Sequence, residues 1–136
     1  DLEPVVSWEE LLGLQQACRR TLVRPEVRRY VIELVHATRR HPQVELGASP
    51  RAMLGVFKAA QALAAVRARR YVIPDDVKEM APLVLEHRLI LRAQSHLRGH
   101  RAGEILREVL DSVPVPVEES VRQAHDAARA SPSPED

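Results

Sequence analysis

Cysteine occurs once, at position 18, so the chain can form neither an internal disulfide nor a cysteine metal cluster, a usage suited to a reducing compartment. Aromatic residues make up only 3% of the sequence, and Leu, Val and Ala dominate the 45% that is hydrophobic. That balance suits packed helices better than a sheet, and the expected fold class is all-α. No run of about 18 apolar residues is present, and the opening "DLEPVVSWEELLG" lacks a basic start followed by an apolar stretch. Neither a spanning helix nor a secretory signal is expected, and the chain reads as cytoplasmic. Charge of one sign is missing too. Twenty Lys and Arg face nineteen Asp and Glu, a net charge of +1, so no global field points to nucleic acid or an anionic membrane. Lysine is confined to positions 58 and 78 and arginine supplies the rest, the better bidentate partner for carboxylate and phosphate. The length, 136 residues, is that of one ordinary domain, and an opening at Asp1 without Met reads as a piece cut from something longer.

What is present is helical pattern. In "VSWEELLGLQQACRR", Ser7 and Glu10 have capping-box spacing, Val6 and Leu11 are placed as a staple, and a helix is expected from about Trp8 to Arg20. Leu11, Leu12, Leu14 and Cys18 supply its expected inward stripe, which makes Cys18 a small core residue. "PEVRRYVIELVHATRR" begins with Pro25, carries Glu26 in its first turn and arginines in its last, and repeats Val27, Tyr30, Val31, Leu34, Val35 and Thr38 at helical spacing. From Pro50 to about Ala68 a third helix is apolar around most of its circumference, and a helix of that kind sits centrally.

Tyr71 to Ile73 read as extended, followed by a helix from Pro74 with Asp75 and Asp76 in its first turn; Pro82 is expected to kink or divide it near Met80. "LILRAQSHLRGHRAG" reads as a loop. A last helix in "GEILREVLD" aligns Ile105, Leu106, Val109 and Leu110 and stops before Pro114. The whole is expected to be a bundle of four to six helices with at most a very short extended pair. Residues 117–136 read as a tail, partly helical and then disordered in "ASPSPED".

One residue is out of place. Ser49 is a good N-cap and Pro50 suits the first helical position, so Arg51 falls in the first turn of the third helix, where the dipole favours anions. The bland explanation is an ion pair with a neighbouring helix. The functional one is an anion sensor, since helix N-terminal amides and a guanidinium converge where a phosphate oxygen can sit.

"LGASPRA", the alanine-rich helix behind it and "YVIPDDVKEMAPLVLEHRL" together resemble the C-terminal lid domain of MoxR-family AAA+ ATPases over roughly Val5 to Pro116, and "GEILREVLDSVPVP" resembles the segment closing such domains. The resemblance implies a lid spanning 1–116. It makes Arg51 the sensor 2 arginine, reaching the γ-phosphate of ATP, with Ser49, Pro50 and Leu54 beside it. It also implies ATP with Mg²⁺ as cofactor of a longer parent, an AAA+ α/β domain in the same polypeptide, neighbouring subunits of a hexamer and a partner with a metal-binding adhesion domain of von Willebrand factor A type. Chaperone-like remodelling is the implied activity. Ile73 departs from the family, which places Thr or Ser before the proline, so the fourth helix lacks an N-cap side chain. Lids of magnesium chelatase motor subunits are similar as well, although "GASPRA" is closer to MoxR.

The rest of an ATPase is missing from these residues. No "GxxxxGK[ST]" fits among the five glycines, and no apolar strand ending in paired acids precedes the first helix. The fragment alone is therefore expected to be inactive and its parent to be an ATP hydrolase. Weaker candidates are His96 and His100, spaced i, i+4 around Gly99 and read as solvated loop residues, and the arginine clusters at 38–41 and 67–70, read as helix C-terminal charges satisfying the dipole. His87 and Arg88 read as a buried or interface polar pair. Two rival classes remain: a helical nucleic-acid-binding module using those arginines, and an interaction bundle with no nucleotide.

Overall fold

In the computed structural model residues 4–116 are described, and the tail expected over 117–136 lies outside them. Helix α1 spans Trp8–Arg19, α2 Pro25–Arg40, α3 Pro50–Val66, α4 Pro74–Leu85, α5 Ala93–Leu97 and α6 Ala102–Ser112. A 3₁₀ turn, Glu86–Arg88, follows α4, and two short strands, β1 (Val44–Leu46) and β2 (Ile90–Leu91), pair antiparallel. The all-α expectation holds, with the small extended pair included.

The core forms where apolar stripes meet. All six expected positions of α2, from Val27 to Thr38, are buried, as are Ile105, Leu106, Val109 and Leu110 of α6. Helix α3 occupies the middle, packing on α1, α2 and α4. Its inward positions are small, with Ala52, Ala60 and Ala64 essentially without exposure, so neighbouring backbones approach closely. A side chain at Gly55 would come within 3.0 Å of Val84 on α4. Burying residues such as Leu34, Leu85 and Leu106 contributes about 1.5 to 3 kcal/mol each.

Four expectations need correction. Helix α1 forms, and its capping box is complete, with the Ser7 amide donating to Glu10 (2.7 Å) and the Glu10 amide to the Ser7 hydroxyl (3.2 Å). Yet it buries no residue: Leu11, Leu12 and Leu14 are exposed and Cys18 is half-buried, because only α3 packs substantially against this helix. Helix α4 is not divided at Pro82. The proline forfeits a single bond, the one its own amide would have donated to the Lys78 carbonyl, and the helix continues to Leu85 before tightening into the 3₁₀ turn.

The third correction is the expected loop, which holds β2 and α5. Gly99, read as a breaker, adopts φ 80° and closes α5 by donating to His96 O (3.0 Å) while His100 donates to Ser95 O (3.1 Å). The fourth concerns only the buried half of the reading of His87 and Arg88: both are exposed, and they form a polar pair at the surface with Arg88 Nε 3.2 Å from His87 Nε2.

Helix α3 ends by the same device as α5, but with Ala68 rather than glycine in the left-handed region, φ 55°. Ala68 donates to Ala65 O (2.9 Å) and Arg69 to Ala64 O (2.8 Å). Arg69 is thereby turned onto α4, where its guanidinium grips both oxygens of Asp76. No helix of the described residues is long and apolar enough to cross a membrane.

Candidate functional site at the start of α3

The site begins at the end of α2. Thr38, fully buried, donates to Val35 O (2.7 Å) and accepts from the Ala48 amide (3.0 Å). Arg39 Nε donates to Ala48 O (2.8 Å). Both backbone polar groups of Ala48 are thus held by two consecutive residues of α2. Gly47 lies flat on the same turn, where a Cβ would sit 2.7 Å from the Arg39 backbone, so only glycine permits the approach. These contacts were not foreseen from the sequence. The buried Thr38 at a regular core position and the glycine just before "ASP" were the available signals.

The clamp fixes the start of α3. Ser49 caps the helix, its hydroxyl accepting from Ala52 N (3.1 Å), and Pro50 takes the first helical position. Arg51 comes next. It is exposed, and among the described residues it makes no hydrogen bond and no ion pair. The other four long helices all carry an acid in the first turn; α3 carries none. The guanidinium therefore meets the helix N-terminus with no carboxylate between them. Leu54, 54% exposed, and Lys58 continue the same face at i+3 and i+7.

The other arginines are differently placed. Arg67 donates to both oxygens of Glu79 (2.9 and 2.8 Å) and lies 3.6 Å from Asp76. Arg69 pairs with Asp76, which is wholly buried and also accepts from Ile73 N (2.9 Å). Burial alone would raise the Asp76 pKa. The Arg69 hydrogen bonds, the Ile73 amide and the charges of Arg69 and Arg67 outweigh it and hold the carboxyl below its ordinary value. Arg67 and Arg69 are thus ion-pair partners of α4, and Asp76 satisfies the amide of Ile73 while no side chain at 73 caps the first-turn amides. In the 38–41 cluster Arg39 serves the clamp, Arg40 meets Glu33 at 3.7 Å and His41 meets Glu108 at 3.3 Å.

His96 and His100 do not converge. His96 is exposed on α5, His100 faces Gln43 at 3.4 Å, and no group of three metal-ligating side chains occurs among the described residues.

Residues 36–109 match the family described as the AAA lid domain, and the matched span carries the clamp, Arg51, α4 and the core of α6. The chain is a lid domain of the MoxR family of AAA+ ATPases. An uncharacterised protein of Bacillus subtilis, YeaC, is 41% identical to the lid domain over 119 residues, 88% of this chain and 37% of that protein. The chaperone MoxR1 of Mycobacterium tuberculosis is 38% identical over 128 residues, 88% of this chain and 34% of that protein. A crystal structure of a protein assigned as an ATPase from Cytophaga hutchinsonii superposes with a TM-score of 0.80 at 30% identity, covering 85% of the lid domain and 38% of that chain. The lid domain thus spans little more than a third of the length of the relatives it matches.

Proposed function

We propose that this lid closes over ATP held mainly by a separate α/β domain of the same polypeptide, and that Arg51 is its sensor 2 residue, donating to the γ-phosphate oxygens. The observation that carries the reading is the state of Arg51: a guanidinium without a carboxylate partner among the described residues, at the positive end of a helix whose leading loop is bolted to α2. An anion fits that arrangement, since the amides of the first turn and the fork of the arginine attract the same charge. Ser49 and Pro50 shape the approach, and Leu54 offers apolar surface beside it.

ATP with Mg²⁺ supplies the phosphoryl group that the parent hydrolyses. The lid's own part is to bind one end of the nucleotide and to move with it as a rigid body. Coupling of that movement around a hexameric ring, with chaperone-like remodelling of a client in the cytoplasm, follows from the same reading. The designation of the Mycobacterium tuberculosis relative as a chaperone supports it. A protein with a von Willebrand factor A-type domain is a proposed further partner. The rival nucleic-acid reading has lost support, since Arg67 and Arg69 are engaged by Asp76 and Glu79.

The test is Arg51→Ala in the full-length parent. Turnover should fall by as much as about 10³, the upper range for an arginine acting on a transferring phosphoryl group. Arg51→Lys should recover little, because a point charge does not replace the planar fork. The free lid should keep its stability or gain a few tenths of a kcal/mol, as an unfavourable dipole interaction is removed. Unchanged hydrolysis together with a destabilised lid would make Arg51 a structural residue.

A further inference from the structure

Helix α3 is held to the body by its apolar face, and that grip begins with the residue after Arg51. Ala52, Val56, Ala60 and Ala64 are at most 1% exposed and fix the helix axis from Ala52 onward. Arg51 lies just ahead of them. The first two bonds of its turn both end on Ser49, whose hydroxyl accepts from Ala52 N (3.1 Å) and whose carbonyl accepts from Met53 N (3.0 Å). Pro50 has no amide with which to add a third. The placement of Ser49 therefore sets the placement of Arg51, and Ser49 follows directly on Ala48, the residue that Thr38 and Arg39 hold by its amide and its carbonyl.

The two holders are unlike. Thr38 is wholly buried, with its hydroxyl between Val35 O and the Ala48 amide, so it serves the core as well as the loop. Arg39 is exposed, and among the described residues it forms no ion pair, although Arg40 beside it meets Glu33 and Arg67 and Arg69 meet acids of α4. Its guanidinium goes instead to the Ala48 carbonyl, and its stem crosses the loop so closely that a Cβ at Gly47 would come 2.7 Å from its Cγ. One hydrogen bond at the surface adds little to stability. What this one fixes is the direction of the carbonyl immediately before the cap.

We propose, on the reading of Arg51 as sensor 2, that Arg39 is a positioning residue for it: by holding the Ala48 carbonyl it fixes the first turn of α3 and so the reach of the Arg51 guanidinium toward the phosphate. Arg39 itself touches no phosphate and acts through the backbone of Ala48 and Ser49. A misplacement of about 1 Å at a reacting site can cost up to about 10² in rate, so one bond outside the nucleotide site is enough to show in turnover.

A double-mutant cycle in the full-length parent, read by ATP turnover and by amide exchange, tests this. Arg39→Ala should slow turnover by about 10- to 100-fold. The same substitution should cost little more once Arg51→Ala is present, because there is then no guanidinium to place. Arg39→Lys should restore most of the rate, since a carbonyl needs one donor and not a fork, whereas Arg51→Lys recovers little. Exchange in Arg39→Ala should accelerate at Ala48, Ala52 and Met53 while Val56 to Ala64 keep their protection. If Arg51→Ala slows turnover but Arg39→Ala does not, or if Arg39→Ala slows it by the same factor with and without Arg51, the positioning role is overturned and the sensor reading stands. Loss of protection along the whole of α3 would make Arg39 a fold residue, and a rate that Arg39→Lys leaves unrestored would mean that its fork meets the nucleotide directly; either result also overturns the proposal. Normal turnover in Arg51→Ala would instead remove the sensor reading, and the positioning role with it.

Discussion

Helices α1 and α2 are written in similar terms: each repeats Leu or Val at three- to four-residue spacing, opens with acids and ends with arginine, yet α2 buries six side chains and α1 none. The difference lies in what surrounds them. α2 is touched by α3, α4, α6 and β1, all contributed by later parts of the chain, whereas α1 has α3 alone as a substantial neighbour. Periodicity reports that a helix has a face. Which element covers the face is decided by tertiary contacts that no single window contains. The attachment of α1 is polar instead: Gln61, buried on α3, donates to Arg19 O (3.2 Å) and Thr21 O (2.8 Å).

Substitutions can sharpen or break this contrast. The largest loss is expected for Leu34→Ala in α2, about 3 to 4 kcal/mol by urea denaturation at unchanged m, because a fully buried leucine leaves a cavity among well-packed neighbours. Asp76→Asn should follow at about 3 kcal/mol near neutral pH, since it leaves Arg69 without its buried partner. The sign of its pH dependence is fixed by the depressed folded-state pKa. The stabilisation from Asp76 is complete above the unfolded value of 3.8 and is lost as pH falls through the folded value, so the gap between the two proteins should narrow only below about pH 4. A gap that stays constant on acidification would mean that the ion pair does not stabilise the fold.

Gln61→Ala should cost about 1 to 2 kcal/mol, for the two carbonyls it leaves unpaired. Its signature is local: amide exchange in α1 should accelerate while α2 keeps its protection. The smallest effect, below about 0.5 kcal/mol, is expected for Leu12→Ala on the exposed stripe. If Leu12→Ala proved as damaging as Leu34→Ala, α1 would be packed in solution and the contrast between the two helices would fail.

Much of the fold was legible because its elements are locally consistent. Pro25, Pro50 and Pro74 each open a helix, and the stripes of α2 and α6 were read residue by residue. What was missed depends on distance in sequence. The loop expected at 89–103 contains β2 because Arg92 N donates to Gln43 O (2.9 Å) and Leu91 pairs with Val44, contacts that join segments more than forty residues apart. At the candidate site the oddity of Arg51 was visible in five letters, "GASPR". The Thr38, Arg39 and Gly47 clamp was not, since hydrogen bonds to a loop backbone leave no period.

The short backbone pairing between Leu22 and Tyr71 has a mechanical meaning. Leu22 N donates to Arg70 O and Val72 N to Leu22 O, both at 2.9 Å, just after the Gln61 contacts to Arg19 and Thr21. A pull applied to α1 from outside therefore meets these bonds before it reaches any core side chain. Two of them lie on the α3–α4 connection and two on α3 itself, so tension on α1 is delivered to the helix that carries Arg51 and to the chain that follows it. α1 is a handle, and the residues from Thr21 to Val23 are where the load enters the body.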